Sequence, residues 1–188
     1  MSHAAFLASE FPPSTPAAAA FHVIPVPYEH TVSYGGGTAT GPEAILRASQ
    51  KLEAFDGAVS PGARGIYTAA PVDVRGEVED VMNRIHGATT AALAAGAVPV
   101  LLGGEHTVSF GAVLAVAEHF GGDVGVVQID AHADLRDTYQ GTPWSHACVM
   151  RRILDLGLPI AQFGVRSLSE PEASLRQEQN IPHYDAER

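Results

Sequence analysis

Two short polar runs, each directly after an apolar segment, carry the side chains best suited to chemistry. GGEH, which ends at His106, follows VPVLL, and DAHAD, which begins at Asp130, follows VGVVQI. Residues two apart in an extended chain point the same way and lie about 7 Å apart, so Asp130, His132 and Asp134 are predicted to converge. His106 is predicted to reach the same volume from the neighbouring strand end.

Two carboxylates and two imidazoles gathered at one point predict a divalent cation. Without a cation between them, these groups would repel or titrate one another. Carboxylate and imidazole ligands without thiolate suit Mn, Fe, Co or Zn ions. The alternative interpretation, a solvated polar loop, is weaker because the motif follows an apolar strand directly and a histidine follows the adjacent one.

Apolar runs alternate with helical patterns from residue 21 onward. Strands are predicted at 21–26, 66–69, 98–102, 124–129, 160–165 and 181–184, and helices at 42–55, 77–95, 108–120, 145–156 and 171–179. Such alternation is typical of a parallel sheet covered on both faces. The sequence therefore predicts one three-layer α/β domain over residues 21–188, with ligands bound at the carboxyl ends of its strands. Residues 1–20, rich in Ala and Pro, are predicted to be a flexible tail.

Composition narrows the classes of partner. Lys and Arg number 11 against 21 Asp and Glu, and this net charge of −10 argues against nucleic acid or an anionic membrane and mildly favours a cationic ligand. A single cysteine excludes a disulfide framework and a cysteine-based zinc site. No apolar stretch reaches the roughly 20 residues of a membrane span. With no basic signal-peptide start, the default expectation is the cytoplasm.

GGEH and DAHAD, with SHAC (145–148) downstream, resemble the ureohydrolase family of arginases and agmatinases. The stretch VPYEHTVSYGGGTATGPEAILRAS (26–49) is similar to the opening loop and first helix of that family, and most of all to agmatinases. FGVRS (163–167) resembles a later strand end. The resemblance runs from about residue 21 to the last residue and implies an arginase-like fold. Glu105 stands where many members have Asp, and we do not take it as a ligand.

The resemblance also implies roles. It assigns His106 and Asp134 to one Mn²⁺ ion and His132 to a second, with Asp130 bridging the two. The implied nucleophile is a hydroxide between the ions, which lower the pKa of the water, and it attacks the guanidinium carbon. His146 is implied to deliver a proton to the leaving amine, which suits an imidazole near neutral pH. Judged alone, His146 is better interpreted as a helix-start histidine that packs.

The implied function is metal-dependent hydrolysis of a guanidinium C–N bond, with agmatine giving putrescine and urea. The opening loop and SHAC favour agmatine. Guanidinobutyrate, arginine and formiminoglutamate stay alternatives, because the family changes substrate through later loops. A homo-oligomer is expected because oligomers are usual in the family.

The family completes its two-metal site with a later S-x-D-x-D-x-x-D-P segment, which this sequence lacks. We therefore expect the N-terminal part of the fold, with an unpaired sheet edge and bare apolar surface. Three interpretations stay open. The chain is part of an agmatinase-type enzyme, or a remnant of impaired activity that binds metal or full-length subunits, or a different metal amidohydrolase completed by another subunit.

Other candidates are weaker. The loop at 35–41 lacks the Lys-Ser/Thr ending of a phosphate loop, and the resemblance places it at the rim of the site. Cys148 lies two residues from His146, but a small buried thiol is the favoured interpretation over a nucleophile. Tyr139 and Trp144 are predicted either to line the entrance or to pack.

Overall fold

The computed structural model describes residues 4–186. Strands and helices alternate along the chain as the sequence predicts. The strands are β1 (Phe21–Val26), β2 (Ile66–Thr68), β3 (Val98–Gly103), β4 (Val126–Ile129), β5 (Ile160–Phe163) and β6 (His183–Tyr184). The helices are α1 (Gly41–Ala48), α2 (Val78–Ala94), α3 (Ser109–His119), α4 (Val149–Leu154) and α5 (Glu170–Glu178). Single 3₁₀ turns at His106–Val108 and His146–Cys148 lead into α3 and α4.

All strand pairs are parallel, as predicted, and they form two three-stranded sheets. The strand orders are β2-β1-β3 and β4-β5-β6. Phe21 pairs with Val98 in the first sheet, and Val126 pairs with Ile160 in the second. Because every strand is parallel, the carboxyl ends within each sheet share one edge, which is where the polar runs lie.

The first sheet is the middle of three layers. Val23 packs with Leu46 of α1 on one face. Its neighbours Ile24 and Val26 pack with α2, through residues that include Ile85, on the other. This alternation follows from the two-residue period of a strand and explains why apolar residues of β1 occur at both odd and even positions.

The second sheet is covered on one face only within residues 4–186. Ile160 and Val165 pack against α4, through Met150 and Ile153. On the opposite face of β4, Val127 and Ile129 are 66% and 85% exposed. Among the described residues, the outer edges of β3 and β4 pair with no further strand. The unpaired edge and bare apolar surface expected from the sequence are therefore present.

Residues 4–20, expected to form a flexible tail, instead lie against the first sheet. The backbone N–H of Phe6 donates to Thr68 Oγ1 at 2.9 Å, and that of Leu7 donates to Ser49 Oγ at 3.0 Å. Phe6, Leu7 and Phe11 pack on the apolar cluster beside α1. The Ala and Pro content suggested a loose segment. Burying three large apolar side chains against this cluster, however, has a more favourable free energy than leaving them in water.

Helix α1 ends at Ala48, earlier than the predicted end at residue 55. Ser49 Oγ donates to the carbonyl of Leu46 at 2.8 Å, and Gln50 Nε2 donates to the same carbonyl at 3.1 Å. Side chains of this kind compete with the helical backbone for its last carbonyls. None of the helices in residues 4–186 is long and apolar enough to cross a bilayer.

The bare face of β4 makes self-association of the isolated chain a direct expectation. Ile129→Lys places a charge on this face and should lower the average particle size in sedimentation velocity. The free energy of unfolding should change by only about 0.5 kcal/mol, because the side chain is 85% exposed. Val59→Lys is the control, since Val59 is 58% exposed but lies in a loop. Equal effects of both substitutions would contradict the assignment of self-association to β4.

Candidate metal centre

His106, Asp130 and Asp134 form one cluster at the carboxyl ends of β3 and β4. His106 Nδ1 lies 2.7 Å from Asp134 Oδ2 and 3.4 Å from Asp130 Oδ2. One possible ligand atom from each residue lies within 4.8 Å of the other two. The side chain of Asp134 is 9% exposed, and those of His106 and Asp130 are 28% and 25% exposed. An imidazole and two carboxylates at this separation are a donor set that suits a divalent cation.

Asp134 reaches the cluster by a turn and not along the extended chain that its spacing suggested. Its φ is +51°, in the left-handed region that Asp tolerates better than most residues. Its carbonyl oxygen accepts hydrogen bonds from the backbone N–H groups of Met150 and Arg151, at 3.0 and 3.2 Å. The start of α4 therefore fixes the turn that points the Asp134 carboxylate at His106.

His132 lies beside Asp130 and outside the three-residue cluster. Its Nδ1 is 3.5 Å from Asp130 Oδ1, and its side chain is 64% exposed. Its backbone N–H donates to the same oxygen at 2.9 Å. The two oxygens of Asp130 thus face different histidines, since Oδ2 faces His106 and Oδ1 faces His132. A carboxylate with this placement can serve as a shared ligand for two cations, one on the side of each histidine.

Two buried amides hold the backbone of this loop, and the sequence analysis missed both. Gln128 on β4 and Gln162 on β5 are register partners. Gln162 Nε2 donates to Gln128 Oε1 at 2.5 Å and to the Ala133 carbonyl at 2.8 Å. Gln128 Nε2 donates to the His132 carbonyl at 3.1 Å. The signal that could have found them is one Gln within each of two apolar strands, since a buried amide needs partners.

Glu172, on α5, supports the same loop from the other side. Its Oε1 accepts from the backbone N–H of Leu135 at 3.0 Å, and its Oε2 accepts from the N–H and hydroxyl of Ser169, both at 2.7 Å. The carboxylate is buried, and Arg136 Nε lies 3.8 Å from it. A residue in a helix-capping motif therefore also fixes the chain immediately after Asp134.

His146 lies on the wall of the same cavity, which has a volume of about 440 Å³ and is also lined by the cluster. It begins the 3₁₀ turn before α4. Its Nδ1 lies 3.2 Å from Thr31 Oγ1, and its Nε2 lies 3.1 Å from Ser33 Oγ. The ring of Tyr139 meets it edge-on, with centroids 5.9 Å apart. Thr31 and Ser33 are further site residues that the sequence analysis did not single out.

The remaining candidates from the sequence are the glycine-rich loop at 35–41 and Cys148. Glu29 accepts hydrogen bonds from the backbone of Ala39 and Gly37 and from the Thr38 hydroxyl, so it ties down the glycine-rich loop, and these bonds lower the pKa of its carboxyl. Cys148 is fully buried, and burial raises the pKa of its thiol, as the interpretation of a packed thiol predicts.

The two aromatic residues of the loop before His146 also separate. Tyr139 lines the cavity. Trp144 packs edge-on against Phe110, with ring centroids 5.1 Å apart. One of the pair therefore contacts the site, and the other belongs to the core.

Comparison with known proteins agrees with this geometry. The sequence matches the Arginase family over residues 19–188. An N(1)-aminopropylagmatine ureohydrolase from Synechocystis sp. is 40% identical over 174 residues, which cover 88% of this chain and 57% of that protein. An agmatinase from Pyrococcus horikoshii is 32% identical, over 85% of this chain and 56% of that protein.

Solved structures show the same likeness. The agmatine ureohydrolase of Thermoplasma volcanium superposes with a TM-score of 0.85 and 29% identity, over 98% of this chain and 62% of that one. An arginase from Medicago truncatula superposes with a TM-score of 0.81 and 26% identity, over 89% of this chain and 57% of that one. The chain belongs to the arginase family of ureohydrolases and has its α/β fold. It spans about 57% of the length of its Synechocystis relative.

The cluster geometry predicts that Asp134 is required for divalent-cation binding. Asp134→Asn removes the charge and keeps a side chain that tolerates the left-handed backbone. We expect the dissociation constant for Mn²⁺, measured from the electron paramagnetic resonance signal of the free ion, to rise about tenfold or more.

Asp137→Asn is the matched control for this measurement. Asp137 is 69% exposed and pairs with Arg152 outside the cluster. Its substitution should leave the Mn²⁺ affinity unchanged. An Asp134 variant that bound as tightly as the Asp137 variant would remove Asp134 from the metal centre.

Proposed function

We propose that this chain provides the N-terminal part of a metal-dependent ureohydrolase site that cleaves a guanidinium C–N bond, converting agmatine to putrescine and urea. The observation that carries the proposal is the arrangement around Asp130. Its two oxygens face His106 and His132 separately, while Asp134 contacts the same nitrogen of His106, Nδ1, at 2.7 Å.

The proposed ligand roles follow from these contacts and from family membership. In this proposal His106 and Asp134 would hold one metal ion, His132 would contribute to holding the second, and Asp130 would be the ligand shared between them. The donor set of imidazole and carboxylate suits Mn²⁺, the metal we propose for both positions. When bound, the metals supply a water molecule of lowered pKa as the nucleophile. The buried amides and Glu172 keep the ligand loop in place while the substrate enters.

His146 is proposed as the group that gives a proton to the departing amine. It lies on the same cavity wall as the cluster, so a guanidinium held at the metals would be within its reach. Its ring is fixed on both nitrogens, by Thr31 and by Ser33. An imidazole kept in one orientation presents its proton at a fixed place in the cavity, and a general acid must be positioned in this way relative to the departing amine.

The substrate is proposed from chemistry that the relatives' names share. Agmatinase and N(1)-aminopropylagmatine ureohydrolase both act, by name, on an agmatine unit. The aminopropyl derivative is a second candidate because relatives at 40%, 37% and 35% identity carry that name. Guanidinobutyrate, arginine and formiminoglutamate are the further alternatives. A homo-oligomer, which is usual in the family, and a cytoplasmic location, which is the default expectation from the sequence, complete the proposal.

A chimaera tests the proposal. The C-terminal part of the Synechocystis relative, beyond the region that this chain matches, is joined to this chain and assayed with Mn²⁺ for urea release. We expect urea from agmatine or from N(1)-aminopropylagmatine, with the ratio of kcat/KM values deciding between them. The unfused chain should bind less than two Mn²⁺ and release little urea.

His146→Asn in the chimaera should lower kcat by about 10² or more, because a general acid contributes that much. His119→Asn is the control, since His119 meets the ring of Phe120 edge-on at the end of α3 and does not line the cavity. A folded chimaera that binds Mn²⁺ but releases no urea from any of the named substrates would overturn the proposed function. Rates from the unfused chain equal to those of the Synechocystis relative would contradict its impaired activity.

A further inference from the structure

Glu105 is a buried carboxylate that the metal cluster does not use. It is 5% exposed, and four donors surround it. Its Oε2 accepts from the backbone N–H groups of His30 and Thr31, at 2.8 and 2.7 Å. Its Oε1 accepts from the hydroxyls of Thr31 and Thr107, both at 2.8 Å. Each carboxylate oxygen therefore has two hydrogen-bond donors, which is what a buried carboxylate requires.

The chain around Glu105 is built for close contact with the loop that carries Thr31. The backbone N–H of Glu105 donates to the Tyr28 carbonyl at 2.9 Å. A side chain at Gly104 would place its Cβ 2.0 Å from that same oxygen, so only glycine fits there. The Glu105–Thr31 contact is therefore fixed by main chain on both sides.

Thr31 connects Glu105 to His146 through its side-chain hydroxyl. Its Oγ1 carries one hydrogen, and Glu105 Oε1 takes it at 2.8 Å. The same Oγ1 accepts from the His146 backbone N–H at 3.0 Å and lies 3.2 Å from His146 Nδ1. With its hydrogen committed, the hydroxyl can only accept from that ring nitrogen.

We propose that Glu105 is a positioning residue which, through Thr31, keeps the hydrogen of His146 on Nδ1 and leaves Nε2 as the nitrogen that gains and loses the proton. Nε2 lies 3.1 Å from Ser33 Oγ, which also contacts Tyr139 Oη at 3.3 Å. Because either hydroxyl can donate in the contact between Ser33 and Tyr139, the Ser33 hydrogen can point to Nε2. The importance of this tautomer for catalysis rests on the proposed role of His146. The tautomer itself rests only on the contacts of Thr31 and Glu105.

One other hydroxyl, that of Ser145, competes with Thr31 for a hydrogen bond with His146 Nδ1. Ser145 Oγ lies 3.3 Å from it and accepts from the Ala147 N–H at 3.4 Å. If Ser145 donated to Nδ1, the lone pairs of Nδ1 and Thr31 Oγ1 would face each other at 3.2 Å. With the hydrogen on Nδ1, both hydroxyl oxygens are acceptors and no such repulsion arises.

Replacing Glu105 with Gln should invert the tautomer. The two backbone N–H groups at Oε2 cannot turn away, so the amide oxygen of Gln must take that position and its NH₂ must take the other. The NH₂ then donates to the Thr31 hydroxyl, which frees the hydroxyl hydrogen to point at His146 Nδ1. The ring hydrogen consequently moves to Nε2.

Long-range ¹H–¹⁵N NMR of the ¹⁵N-labelled, metal-free chain measures this directly, because the cross-peak pattern differs between the two neutral tautomers. Spectra are recorded about two pH units above the ordinary imidazole pKa, and His146→Asn identifies the peaks. We expect the Nδ1–H form in the unchanged chain and the Nε2–H form in Glu105→Gln.

Thr107→Val is the matched control. It removes one donor from Glu105 Oε1, as loss of Thr31 would, but the hydroxyl of Thr107 makes its hydrogen bond to Glu105 and none to His146, so the tautomer should stay unchanged. Where Glu105→Gln does not fold, Thr31→Ser and Thr31→Val decide, since the first keeps the hydroxyl and should keep the Nδ1–H form, and the second should lose it. An Nε2–H form in the unchanged chain, or no shift in folded Glu105→Gln and Thr31→Val, overturns the proposal.

The kinetic readout separates this proposal from the proposed function. In an active chimaera, Glu105→Gln should lower kcat by about 10²-fold with KM and Mn²⁺ affinity unchanged. An inactive chimaera with the expected tautomers leaves the positioning proposal standing and removes the proposed function. An active chimaera that loses urea release with His146→Asn, but shows no tautomer shift in Glu105→Gln, supports the proposed function and removes the positioning proposal.

Discussion

The contact between His106 and Asp134 is the interaction on which the site depends. The 2.7 Å separation joins the end of β3, in the first sheet, to the loop after β4, in the second. Asp130 and Asp134 both lie at the Nδ1 side of this imidazole, and two carboxylates of like charge stay this close only where the backbone holds them there. The loop meets this requirement through hydrogen bonds that begin outside it.

Those hydrogen bonds come from all sides of the loop. Gln128 on β4 and Gln162 on β5 donate to its carbonyl oxygens, and Glu172 accepts from the N–H of Leu135. Backbone N–H groups at the start of α4 donate to the Asp134 carbonyl. Each supporting group is buried, which strengthens its hydrogen bonds and makes an unpaired partner costly. The ligand loop is therefore preorganised by the half of the fold present here, while one apolar face of the second sheet is left bare in the same residues.

The sequence was sufficient for the strands, the parallel sheets and the positions of His106 and Asp130, because apolar runs and the residues that end them are local signals. It was insufficient where geometry depends on distant partners. Asp134 reaches the site by a left-handed turn held by α4, which two-residue spacing does not reveal. Glu105 contacts residues 74 positions away, and this pairing leaves no periodic trace in the sequence.

The N-terminal segment shows the same contrast between local sequence signals and contacts with distant residues. Its Ala and Pro content predicted a flexible tail, yet Phe6 and Leu7 pack on a surface that the folded first sheet provides. The bare sheet face, by contrast, was predictable, because the sequence lacks the later metal-binding segment with which the family continues its fold.

The strand order also has a consequence for synthesis on the ribosome. β1 lies in the middle of the first sheet, and its partner β3 begins at Val98, long after β1 ends at Val26. At a chain-growth rate of about 5–20 residues per second, β1 waits roughly 4–14 s for that neighbour. The second sheet grows in sequence order, one strand at a time at a single edge. The nascent chain therefore leaves one edge of β1 unpaired until β3 emerges, which makes the first sheet a segment that a chaperone would bind during synthesis.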